Sequence, residues 1–212
     1  MNYLRLLVLA TIACILLSGC ISPRSYIDPA FSKTRYEDIN KRNEPLKLNL
    51  FAEFQRNGSH FEKADTMLKD NSERILRGTG VIMPSVEPID GEIIVICNNI
   101  ANLGEAGAKG FGTGLTFGAI GSTVTDAYEL SVVIKTKDGK TISRSEIKHA
   151  FHTAIGNTSV PEGVETVLPN AAFERVLEQM LLKAIKDMQL SGELTLLIPG
   201  VPFLISNCCY LI

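Results

Sequence analysis

The strongest constraint on what this chain can fold into is an alternation of apolar and polar residues that runs down one segment and back up the next. Leu130, Val132 and Ile134 alternate with Glu129, Ser131 and Lys135, and Asp138-Gly139 supplies a turn between Tyr128–Lys135 and Thr141–Ile155. A period of two puts the apolar set on one face, which predicts a β-hairpin whose apolar face must be covered. Residues 171–190 offer a cover. Phe173, Val176, Leu177, Met180, Leu181, Ala184, Ile185 and Met188 recur at steps of three and four, with Glu174, Glu178, Lys183 and Lys186 mainly opposite. That spacing predicts an amphipathic helix lying on a sheet, with Asn170 as its N-cap and Gly192 beyond its end.

Upstream, Leu46–Phe54 alternates like a half-buried strand, and Asn57-Gly58 turns the chain. Ser59-His60-Phe61-Glu62 has the spacing of a capping box. It opens a helix carrying Phe61, Ala64, Leu68 and Ile75 near one face, with Gly78 at its C-terminal cap. A short strand at 81–83 and a buried one at 92–100 follow. The element order predicts an α+β fold over residues 45–192, a two-layer sandwich of a mainly antiparallel sheet with two flanking helices. This order resembles the small sandwich of envelope lipoproteins serving secretion or assembly machines, such as the TolB N-terminal and curli-secretion-type domains. Residues 20–44 are polar, with Pro23 and Pro29, and read as a tether. Residues 193–212 form an apolar tail whose Pro199 and Pro202 argue against a spanning helix. Leu194–Ile198 suits a further strand; the remainder either packs on the domain or binds a partner.

The first nineteen residues have a different logic. One arginine, Arg5, precedes an uncharged apolar run from Leu6 to Leu17. This is the layout of a secretory signal, and the run falls short of the roughly 20 residues a spanning helix needs. It ends in Leu17-Ser18-Gly19-Cys20, which resembles the lipobox of bacterial lipoprotein precursors. Small side chains beside the scissile bond and a thiol at the junction suit a membrane peptidase and a lipid donor. The resemblance implies diacylglycerol on Cys20, cleavage after Gly19 and a membrane partner made of lipid. Stable anchoring takes two or more acyl chains. Ile21 and Ser22 stand where an aspartate would mark retention in the inner membrane of such lipoproteins, so the resemblance points to the periplasmic face of the outer membrane. An envelope protein is then the expected partner.

With 21 basic and 23 acidic residues, the chain has no electrostatic reason to seek nucleic acid. Catalytic and metal motifs are not in view. There is no Gly-x-Ser-x-Gly elbow, and no CxxC pair. Gly139-Lys140-Thr141 ends like a phosphate loop, yet Ile134 stands where its first glycine is required. His149 and His152, three apart on a strand, point to opposite faces. Cys97 sits in an apolar run and reads as a small buried hydrophobe. No cofactor is expected, and the chain reads as a non-enzymatic binding protein; the alternatives are an enzyme or ligand carrier whose site is built from residues distant in sequence, and an oligomeric pore component using residues 110–125.

Within the glycine-rich stretch 104–126, residues 110–125 are uncharged. Read as a strand, they put Phe111, Leu115 and Phe117 on one side and Gly110, Gly112, Gly114 and Gly118 on the other. Such a face lets a backbone or a lipid approach closely, which makes Phe111, Leu115 and Phe117 candidate contacts with a membrane or a partner. A plain loop between two strands is the competing reading. If the contact reading holds, Phe111→Asp with Phe117→Asp reduces recovery of the protein in assembled envelope complexes, and unchanged recovery and solubility leave the loop.

Overall fold

The computed structural model describes residues 23–31, 33–87, 90–101 and 121–194. Cys20, the contact candidates Phe111, Leu115 and Phe117, and most of the apolar tail lie outside the described residues. In chain order the strands are β1 (Arg24–Ile27), β2 (Leu46–Arg56), β3 (Ser59–His60), β4 (Ile82–Pro84), β5 (Gly91–Ile100), β6 (Ser122–Thr136) and β7 (Thr141–Ile155). Helix α1 (Asp65–Thr79) lies between β3 and β4, and helix α2 (Pro169–Leu190) follows β7. The strands pair in the order β1-β7-β6-β5-β2-β3, with β4 also on β2. This is an open, mixed sheet with two helices, the α+β fold the alternation predicts. The described residues divide into two compact units, one within 1–31, 99–128 and 149–176, the other within 32–98, 129–148 and 177–212.

In the first unit β1 runs antiparallel to the end of β7, from Arg24 opposite Ala154 to Ile27 opposite Phe151. The buried hydroxyls of Ser25 and Thr153 meet at 2.8 Å, which satisfies two polar groups that burial would otherwise penalise. Beneath them Tyr128 stacks on Phe151 and tilts against Phe173, ring centres 5.9 and 5.3 Å apart. The tether expected at 20–44 is corrected here: from Arg24 onward it is part of the fold. A four-residue strand between prolines is too short for a period of two to register, and its pairing partner lies far along the chain.

In the second unit Leu46, Leu48, Leu50 and Phe54 of β2 are buried with Ile93, Val95 and Cys97 of β5 and Leu130, Val132 and Ile134 of β6. Leu68, Ile75 and Leu76 of α1 and Leu177, Met180, Leu181 and Ile185 of α2 are buried too. The residues once read as tether hold this half of α2. The Tyr36 hydroxyl donates to Glu178 at 3.1 Å, and the Gln189 amide exchanges two hydrogen bonds with the Asn40 backbone. Burial, with the nearby Glu178 carboxylate, pushes the Tyr36 phenol up to about 12.

Three local readings are corrected. Ser59 and His60 form β3 rather than a capping box, because they pair with Arg56 and Gln55 across the Asn57-Gly58 turn. A 3₁₀ turn at Glu62–Ala64 then leads into α1, and no side chain caps it. The left-handed cap of α1 is Gly80, not Gly78. Gly78 stays helical where a Cβ would sit 3.0 Å from the Tyr36 ring. Helix α2 starts at Pro169, a residue suited to the first helical position, so Asn170 lies inside the first turn. In β7, Glu146 adopts φ 56° and the buried set shifts from Ile142 to Ile147, His149, Phe151 and Thr153. That one-residue change of phase is the signature of a bulge.

Gly91 opens β5 with φ 141°, and a Cβ there would lie 2.1 Å from the Lys135 carbonyl oxygen. Gly139, also at positive φ, has open space around it. In urea denaturation, Gly139→Ala should cost about 1–2 kcal/mol from backbone strain alone. Gly91→Ala should cost more, since a backbone atom cannot yield to the new methyl.

Candidate functional site

The bonds along β2 alternate in direction. Lys47 accepts from the Asp90 amide and donates to the Asp90 carboxylate, on the side of β5. The even-numbered residues turn the other way. Leu46 donates to Val81 and Leu48 accepts from Ser85, where β4 runs parallel beside Leu46–Leu48. Phe54 accepts from the Phe61 amide at 2.8 Å, where β3 covers Gln55 and Arg56. Strands β4 and β3 thus occupy the two ends of one edge. Along this edge, between them, no strand among the described residues lies beside Asn49–Glu53, and the alternation points the peptide groups of Leu50 and Ala52 out of the sheet. An edge of this kind is a template for another strand.

This opening borders a groove of about 440 Å³ lined by Lys47, Asn49 and Leu50 of β2 and Lys69, Glu73 and Arg77 of α1. The three helix residues are four apart and form one stripe. The remaining wall is Met83–Glu87, where the Val86 side chain is 94% exposed. Phe51, on the neighbouring position of β2, is 48% exposed.

Single side chains pin both ends of the groove. At one end the Arg77 guanidinium donates to the Pro84 carbonyl at 2.7 Å and grips Glu73 at 2.7 and 3.0 Å. At the other end Asp65 accepts from the Phe54 amide at 2.7 Å, and its second oxygen pairs with His60 Nε2 at 2.7 Å. The Phe54 amide, with help from His60, holds the Asp65 carboxyl below its ordinary range. The hydrogen bond to Asp65 in turn raises His60. The interleaved acids and bases of this stretch, Glu62, Asp65, Asp70 and Glu73 with Lys63, Lys69, Arg74 and Arg77, predict a solvated, salt-bridge-laced face; the Glu73–Arg77 pair is present, but it faces a groove.

A second constellation lies in the first unit. His152 Nε2 pairs with Asp28 at 3.2 Å, its Nδ1 meets the Thr125 hydroxyl at 2.9 Å, and Tyr26 lies against the ring at 5.1 Å. The connectivity is that of an acid, a base and a hydroxyl. The set braces β6, β7 and the end of β1 at one level. His149, on the opposite face as its spacing predicts, is buried and stacked on Phe31 at 4.8 Å. Cys97 is fully buried, which pushes its thiol up to about 12 and makes it unreactive.

Among the described residues no cluster of three metal-ligating side chains occurs, and no helix is long and apolar enough to cross a membrane. No known protein family matches the chain, and no curated protein is similar to it.

The His60–Asp65 pair gives the end of the groove a pH signature. His60 is raised, so its contribution is complete below the unfolded value of about 6.5 and is lost as pH rises through the higher folded value. Asp65 is lowered, so its contribution is present above about 3.9 and is lost as pH falls through the lower folded value. The stability difference between the wild type and His60→Ala, read from urea midpoints, should be largest between about pH 4 and 6.5 and shrink by pH 8.5. Asp65→Asn should flatten that profile.

Proposed function

We propose that this chain is a lipid-anchored envelope protein whose folded part docks another envelope protein along the open edge of β2, as an accessory to assembly or transport. The leader and Leu17-Ser18-Gly19-Cys20 support the anchor and the periplasmic face of the outer membrane. The observation that carries the docking role is the stretch Asn49–Glu53, which on the edge away from β5 has no strand beside it among the described residues, is flanked there by β4 and β3, and opens on a groove. A sheet edge with outward peptide groups binds chain rather than small molecules, because its donors and acceptors are spaced to match another backbone. A lipid anchor suits such a role, since it holds the protein at the surface where its partner resides and lets modest affinity suffice.

Two measurements test the two halves separately. Intact mass should give a chain beginning at Cys20 with acyl groups attached, and Cys20→Ala should leave the leader in place. A photocrosslinker at Phe51, which is half exposed on β2, should capture an envelope protein in intact cells, while the same group at Lys140, on the β6–β7 turn, should not. An unmodified Cys20 with its leader retained removes the anchor. Equal capture from both positions removes the β2 edge as the docking site.

A further inference from the structure

We infer that the occupant of this groove is a short extended segment of a partner, carrying acidic side chains between apolar ones, that adds as a strand to β2 between β4 and β3. The inference rests on the docking role proposed above and names the chemistry of what docks.

Four observations select this occupant. The opening spans only Asn49–Glu53, five residues, because β4 ends beside Leu48 and the Phe61 amide already bonds Phe54. A strand of about that length fits; a helix presents no free donors or acceptors to an edge. A second copy of this chain is excluded by shape. Its own β2 carries β4 and β3 on the same edge, so two recessed openings would meet flank against flank before their edges came within the roughly 4.8 Å that pairing needs.

Charge narrows the choice further. Glu73 is held by Arg77, and Arg77 is spent on Glu73 and the Pro84 carbonyl. Lys47 and Lys69 have no ion-pair partner among the described residues, which leaves two lysines in the wall against the carboxylate of Glu87. They also stand on different elements, β2 and α1, so carboxylates on either face of an added strand find a cation. The apolar requirement comes from Leu50, Met83 and Val86, which line the same wall. Valine, isoleucine or leucine at alternate positions of the added strand would cover them and remove Val86 from water. Every second peptide group of the segment would bond to Leu50 and Ala52, as in other strand additions to a sheet edge.

The test uses the full chain purified in detergent and a fluorescein-labelled peptide of about seven residues alternating valine and glutamate. Fluorescence anisotropy should give binding with a Kd of about 10–100 µM. The counterpart with lysine in place of glutamate should bind about tenfold or more weakly, and Lys69→Glu should reverse that order. N-methylation of the peptide at the amides facing β2 should abolish binding while leaving the protein untouched, so failure of the protein to fold cannot mimic the result. Equal binding of the N-methylated peptide, equal binding of the acidic and basic peptides, or no binding up to 1 mM each overturns the inference. The Phe51 crosslinker separates the levels: selective capture with no peptide binding removes the acidic strand alone, and loss of both removes the docking role with it.

Discussion

Strand β2 is bonded along both of its edges, and that constraint positions most of its unit. Leu46, Leu48, Leu50 and Phe54 bury one face. Lys47 anchors the start of β5 on one side, and β4 and β3 share the other. A strand can give its peptide groups to a neighbour only where the neighbour reaches. β4 reaches three residues and β3 two, so an eleven-residue strand necessarily keeps an uncovered middle. Exposed edges invite uncontrolled association, and natural sheets blunt them by shortness, charge or cover. Here two of these are present: the opening is brief, and the lysines of its walls are charged.

The opening persists because two side chains substitute for strand pairing at its margins. Asp65 supplies an acceptor to Phe54 where a further residue of β3 would otherwise sit. Arg77 supplies a donor to Pro84, whose chain then departs from β2. Each is a charge-assisted hydrogen bond to the backbone, roughly twice as strong as a neutral one. Since both residues belong to α1, the helix sets the two ends of the opening at a fixed separation, and its Lys69–Glu73–Arg77 stripe becomes the wall. This rigidity matters for binding: a pre-formed edge spares an incoming segment the cost of ordering its receptor.

The two units put their polar groups to different uses. In the first, buried hydroxyls and the Asp28–His152–Thr125 set are consumed by cross-strand contacts, which tie β1 to β7. In the second, the polar groups of β2 and the lysines beside it remain open. That contrast is why a binding surface is assigned to the groove and a bracing role to the histidine set. The proposed lipid anchor would suit such a surface, because confinement to a membrane raises the effective concentration of partner segments held there.

Period alone determined much of this protein. The alternation in β2 and the β6–β7 hairpin, and the three-four spacing of α2, each reflect a face that must leave water, and such a face is written locally in every residue that shares it. Cys97 and the opposed histidines were legible for the same reason. Tertiary structure alone decided the rest. Strand β1 has four residues and exists because β7 receives it. Gly80, at left-handed φ, ends α1, while Gly78 stays inside the helix where the ring of Tyr36, far upstream in the chain, leaves no room for a side chain. The groove left the least trace of all. Lys69, Glu73 and Arg77 read as an ordinary solvated face, since no local pattern records that two other strands stop short of one another. A pairing partner is a long-range choice, and the absence of one is visible only when every strand has taken its place.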